Sequence, residues 1–278
     1  MKKIFYTAVL ALLTLSVQSC LMEDKDLFDQ SAAERLESYI NKYGAILPSA
    51  EKGWMLEYYP DETQQYGGYV YVLKFTEDDV TAHFELAEDA GHAAGETVTS
   101  LYRIVSDDSA VLTFDTFNDY IHYFANPNIN DYEARHGDYE FNLVDISDDG
   151  NEIYLRGLRT GNHMTLRKLN MSAESYMQKI AAMKYNVLAR RHTLTIAGAS
   201  NTTCVFGNGI NTIRYAYTAD GVEYSGVIPF CHTDLGIRFY EPVELNGVMY
   251  ESLVYSDGIL SSNDGRVFIQ MGAKPSGN

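Results

Sequence analysis

Eight aromatic side chains, Phe114, Phe117, Tyr120, Tyr123, Phe124, Tyr132, Tyr139 and Phe141, fall within 28 residues, a density more than twice the 13% of the whole chain. Asn118, Asn126, Asn128 and Asn130 interleave with them. Rings beside amides provide what a glycan or other small planar ligand requires, namely apolar stacking area and a few directional hydrogen bonds. Phe117, Asn118, Tyr120, His122 and Tyr123 are therefore the candidate ligand-binding residues. The competing reading of the same composition is a packed loop whose rings belong to a core.

Elsewhere, spacing argues against familiar chemistries. The seven histidines, His83, His92, His122, His136, His163, His192 and His232, form no His-Glu-x-x-His string. Such a string would set two imidazoles on one helix face to hold zinc. No nucleophile elbow, phosphate-cradling glycine loop or dinucleotide fingerprint occurs either. No catalytic residue, metal ligand or cofactor is assigned, and a role other than catalysis is expected. Asp145-Ile146-Ser147-Asp148-Asp149-Gly150 begins like a calcium loop, but Arg156 stands at the twelfth position, where a bidentate carboxylate is needed. A hairpin tip is the expectation there. In a simple meander Cys204 would sit two strands from Cys231, about 10 Å away, which argues against a disulfide unless the strands close or reorder.

With 21 basic and 38 acidic residues the formal charge is -17, a surface that phosphate backbones repel. Nucleic acid is thus not expected as a partner. Lys2 and Lys3 precede an apolar run from Ile4 to Val17, too short for a spanning helix, which reads as a signal peptide. Val17-Gln18-Ser19-Cys20 resembles a bacterial lipobox, so Cys20 is the expected lipidation site and the membrane the expected partner through that anchor. The acidic residues Glu23, Asp24 and Asp26 that follow are similar to tags that direct lipoproteins to the outer face of the outer membrane; the alternative is the periplasmic face.

These features divide the chain into a signal peptide (1–19), a lipidated tether (20–30), a helix with an antiparallel sheet (31–170) and a second helix with an antiparallel meander (171–278). Ser31 and Glu34 form a capping box, followed by a stripe of Leu36, Tyr39, Ile40 and Tyr43. Ser172 caps a second helix whose stripe is Tyr176, Ile180, Met183 and Val187, with Arg190 and Arg191 at its end. Period-two alternation over Tyr69 to Phe75 and Thr212 to Thr218 marks strands. Five Asn-Gly or Asp-Gly pairs between 208 and 265 mark hairpin turns. The predicted class is α+β, predominantly antiparallel β, as two helix-plus-sheet units; the alternative is a single sandwich or barrel with two flanking helices.

Phe28-Asp29-Gln30-Ser31-Ala32-Ala33-Glu34-Arg35, Gly53-Trp54-Met55-Leu56-Glu57-Tyr58-Tyr59-Pro60, Gly67-Gly68-Tyr69, Leu112 to Asn118 with His122, and Gly137-Asp138-Tyr139-Glu140-Phe141 together resemble a Bacteroidota lipoprotein family filed as domain of unknown function 4302. The resemblance covers about 25 to 170 well. It implies a surface or periplasmic lipoprotein, of a kind often encoded beside outer-membrane nutrient-uptake pairs, with no assigned catalytic residues to carry over. The expectation is an accessory or ligand-binding lipoprotein of such a system, with outer-membrane transporters and a glycan or other small ligand as partners. A structural or adhesive surface protein and a hydrolase are the alternatives.

Overall fold

The computed structural model describes residues 31–107, 109–114, 116–127, 132–187 and 191–272. Cys20, the signal segment, the tether and Arg190 lie outside the described residues. Helix α1 (Ala32–Ile46) starts at the predicted capping box: the backbone N–H and the hydroxyl of Ser31 each donate to Glu34 Oε2 at 2.9 Å, and the Glu34 N–H donates to Ser31 Oγ at 3.3 Å. A 3-10 turn containing Pro48 (Leu47–Ser49) ends it. Along the predicted stripe Leu36 and Ile40 are half-buried, Tyr39 is 53% exposed and Tyr43 is buried.

The chain then forms β1 (Trp54–Tyr58), β2 (Tyr69–Phe75), β3 (Asp79–Phe84), β4 (Val98–Leu101), β5 (Arg103–Asp107), β6 (Ser109–Thr113), β7 (Glu140–Ile146), β8 (Glu152–Gly157) and β9 (His163–Lys168). Their order in the sheet is β4-β3-β2-β1-β9-β8-β7-β6-β5. The two edges, β4 and β5, are consecutive in the chain and separated by Tyr102 alone, so the sheet must curl until its edges meet. Helix α2 (Ala173–Val187) follows, its first turn capped by the Ser172 hydroxyl, which accepts from the Ser175 N–H at 3.3 Å.

The second sheet contains β10 (His192–Ile196), β11 (Ser200–Phe206), β12 (Thr212–Ala219), β13 (Val222–His232), β14 (Gly236–Leu245), β15 (Val248–Ser256), β16 (Ile259–Ser261) and β17 (Val267–Met271). Its order, β10-β17-β16-β15-β14-β13-β12-β11, again places sequence neighbours at the two edges, and the Thr202 hydroxyl of β11 donates to the Leu194 carbonyl of β10 at 2.5 Å. The hairpins use the expected turn chemistry: Asp220, Asn246 and Asp257 and the glycines after them all have positive φ, as the right-handed strand twist demands of two-residue connections.

Among the described residues the protein is thus mostly antiparallel β (47%), with two α-helices and two nearly closed sheets, and both sheets belong to one compact unit, Tyr39–Asn278. The expected layout of a helix over each antiparallel sheet holds roughly, with two features added. Each sheet curls on itself and packs its interior with side chains. Voids of about 10 Å³ remain among Leu56, Tyr58, Tyr71 and Phe114 in the first and among Leu194, Ile213 and Phe239 in the second. Each void is at the size limit for one water. Helix α2 serves both sheets: Tyr176 and Ile180 cover Met55, Val70 and Val72 on the outer face of the first, while Met183 and Val187 join the core of the second. For this reason β2, whose alternation suggests a half-buried strand, is buried on both faces except at Lys74. No helix among the described residues is long and apolar enough to cross a membrane.

Asp145 to Gly150 is the tip between β7 and β8, where the Asp149 carboxylate accepts from the Ser147 hydroxyl (2.6 Å) and from the Asn151 backbone and side-chain amides (3.0 and 2.8 Å). These hydrogen bonds draw its pKa down to about 2. Cys204 and Cys231 are free and buried. Cys204 belongs to the core of the second sheet, while Cys231 faces Tyr59 and the Tyr69 carbonyl.

The sheets meet where Gly67 and Asn211 form a parallel bridge: the Gly68 N–H donates to the Phe230 carbonyl at 3.0 Å and the Asn211 side-chain amide to the Gly68 carbonyl at 2.6 Å. A Cβ on Gly68 would overlap Cys231 Sγ and stand 2.6 Å from the Tyr59 ring. Gly68→Ala is therefore expected to lower stability by about 1–3 kcal/mol through overpacking, read as a reduced urea midpoint at unchanged m. A midpoint equal to the parent's would show that the junction is loosely packed.

Candidate functional site

The aromatic segment fills the first sheet. Tyr120 and Phe124 are fully buried; the Tyr120 hydroxyl donates to the Glu96 carbonyl at 2.9 Å, and its own carbonyl accepts from the Tyr71 hydroxyl at 3.0 Å. Around it Phe84, Phe124, Tyr58, Tyr71 and Tyr69 contact one another in stacked, tilted and edge-on pairs 4.4–5.7 Å apart. Asn118 is equally buried: its side-chain oxygen caps the turn by accepting from the N–H groups of Tyr120 (3.1 Å) and Ile121 (3.2 Å), and its amide donates to the Ser100 hydroxyl at 3.0 Å. His122 is buried between Phe117 and Tyr139, and burial holds its pKa below the ordinary value. Tyr123 is half-buried against Phe84 and Phe124, and Phe117 is 61% exposed. Of the five candidates, then, only Phe117 and Tyr123 present appreciable surface. Asn118 and Tyr120 have their polar groups engaged inside the fold, and none of the five lines the groove on the other side of β3.

A cavity does lie on the outer side of the same strands. A groove of about 700 Å³ runs between α2 and the segment that leaves β3, within the 300–1,000 Å³ range of small-molecule sites. One wall is a single face of α2, with Glu174, Met177, Gln178, Ala181 and Lys184 at helical spacing. The opposite wall is His83 and the flap that continues through Leu86, Ala87, Glu88, Asp89, Ala94 and Glu96 to β4. Because successive strand residues alternate, Phe84 points into the aromatic core while its neighbours His83 and Glu85 face the helix.

Glu85 dominates the electrostatics. Its side chain is 1% exposed, Lys184 Nζ stands 3.5 Å from Oε1, and Oε2 has no hydrogen-bond partner among the described residues. Burial raises its pKa, against the lowering influence of the Lys184 ammonium and, more weakly, of the Val70 backbone N–H and the Asn211 side-chain amide. The same ammonium and, above all, burial hold His232 neutral, pushing its pKa down to about 3. His83 is also shifted down by burial, opposed by the charge of Glu174. Sequence reasoning missed this groove. The one signal was the polar face of α2 beside its buried stripe, and that face defines a site only once β3 and the flap stand opposite.

His92 fastens the flap to the aromatic segment, its two ring nitrogens 3.2 Å from Glu96 Oε1 and 3.1 Å from Asp119 Oδ2. The hydrogen bonds and charges of these carboxylates raise its pKa. A raised histidine pKa contributes stability that is fully present below the unfolded value and is lost as pH rises through the folded one. Hydrogen exchange in the flap is thus expected to accelerate from about pH 6 to pH 8 relative to His92→Ala, whose exchange should show no such extra dependence. Identical pH profiles for the two proteins would show that the latch carries nothing.

No curated protein and no solved structure matches the chain. Residues 24–257 match the family described as a domain of unknown function (DUF4302), a span that takes in the first sheet and the second as far as β15, and the chain belongs to that family.

Proposed function

We propose that this protein is a cell-envelope lipoprotein, acylated at Cys20 and held at the surface of the outer membrane of a Bacteroidota cell, that binds a small ligand as an accessory of a nutrient-uptake system. The observation that supports ligand binding best is the 700 Å³ groove with a buried, incompletely paired carboxylate on its wall. Burying such a group costs free energy unless a partner is provided, so natural folds retain one chiefly where it has a use. The lipobox-like Val17 to Cys20 and the short apolar run before it support the anchor.

The tests are separate. Metabolic labelling with a palmitate analogue should be lost in Cys20→Ala, and external protease should remove the protein from intact cells; undiminished labelling of the variant would defeat the anchor. Filling the groove with Ala181→Trp should abolish the thermal shifts that a small-molecule panel produces with the parent chain. A panel that shifts both proteins equally would show that binding occurs elsewhere.

A further inference from the structure

We infer that the groove between α2 and the flap takes an organic cation, a protonated amine joined to an apolar body, with Glu85 receiving the ammonium in place of Lys184. The inference rests on the reading of this groove as the ligand site and names the chemistry that fits it. Among the described residues, five carboxylates, Glu85, Glu88, Asp89, Glu96 and Glu174, line the groove against the single ammonium of Lys184. That imbalance repels an anion and leaves a neutral ligand's site with uncompensated negative charge.

Acidic rims are common on a chain of this charge, and the rim alone would say little. Glu85 differs because its carboxylate is almost fully buried, its Oε2 has no partner within hydrogen-bond distance among the described residues, and the Lys184 ammonium stands at a loose 3.5 Å. An ammonium has three donors, enough to satisfy both carboxylate oxygens, which Lys184 at its present distance does not do. Lys184 sits on α2 with 31% of its side chain exposed, so its flexible stem can carry the charge out to water when another amine arrives. The apolar remainder of the ligand has Leu86, Ala87, Ala94, Met177 and Ala181 to lie on, small side chains that leave the width of the groove open, with a methionine that adapts to the shape of its occupant.

Three amphiphiles with one tail and different heads test this: n-octylammonium, n-octyl glucoside and n-octanoate, titrated calorimetrically below their micelle concentrations into the full-length chain. The expected order is octylammonium first, by about tenfold or more over the glucoside, as one charge-assisted hydrogen-bonded pair provides, with octanoate undetectable. Lys184→Met should raise octylammonium affinity by removing the competing amine. Glu85→Gln should lower it to the level of the glucoside. Glu85→Gln strands Lys184, so the charge-balanced pair Glu85→Gln with Lys184→Met provides a folded control in which the cation preference should also vanish. Equal binding of all heads, or a preference for glucoside or octanoate that Ala181→Trp abolishes, overturns the cation while leaving the groove a ligand site. Absence of binding by all three, with thermal shifts from a broader panel unaffected by Ala181→Trp, overturns both readings.

Discussion

Tyr120→Ala is expected to lower stability by about 3–5 kcal/mol, the cost of deleting a large buried ring and leaving a cavity that its neighbours only partly fill. Tyr120 is fully buried against Phe84, its hydroxyl is bonded to Glu96 in the flap, and its carbonyl holds Tyr71. Deletion therefore also leaves the Glu96 carbonyl without its donor. Urea unfolding followed by Trp54 emission measures the effect, since this single tryptophan is itself buried, its indole N–H donating to the Leu47 carbonyl at 2.8 Å. Phe117→Ala provides the contrast, because a ring with 61% of its surface exposed should change stability by no more than about 0.5 kcal/mol. If Tyr120→Ala instead left the midpoint unchanged, the ring would not be part of the core and the segment would again be open to a ligand.

Glu57→Ala is expected to cost about 1–3 kcal/mol, because it removes the anion shared by two arginines from different sheets, both of which keep some access to water (Arg238 38% and Arg167 24% exposed). Glu57 on β1 has a side chain 9% exposed; Arg238 Nε of β14 is 3.3 Å from its Oε1 and Arg167 Nε of β9 is 3.6 Å from its Oε2. Arg167 also pairs with Glu152 and so keeps an anion when Glu57 is removed, whereas Arg238 is left to water. Burial lowers the Arg167 pKa while Glu57 raises it, so the carboxylate is part of what keeps that guanidinium comfortable in its surroundings. The pair Glu57→Met with Arg238→Leu should recover most of the loss, since apolar groups of similar volume avoid the desolvation that an ion pair must overcome. A double variant no more stable than Glu57→Ala would show that the charges, rather than the volume, hold the two sheets together.

Much of the local structure was legible without coordinates. The Ser31–Glu34 box, the Ser172 cap, the stripe of α2 and the hairpins at Asp220, Asn246 and Asp257 depend on side chains within a few residues of one another, and each forms as its spacing predicts. Curling was not legible, because closure is decided by which edges meet. Nothing in the residues of β4 or β5 announces that they are opposite edges of one sheet, yet Tyr102 alone joins them. The aromatic segment shows the same limit from the other side. Its composition is equally that of a stacking surface and of a plug, and the two differ only in whether a curled sheet stands ready to receive the rings.

The sequence by itself determined where the two helices begin, where the hairpins at Asp220, Asn246 and Asp257 turn, the family, and the acidic character of the chain, since these follow from neighbouring residue types and from charge that needs no geometry. Only the tertiary structure decided that Asn118 and Tyr120 are internal, that Glu57 is shared between sheets, and that Glu85 meets Lys184 across a groove. Each of those pairs residues far apart in the chain, and burial and partial neutralisation are properties of what is brought alongside a side chain rather than of the side chain itself.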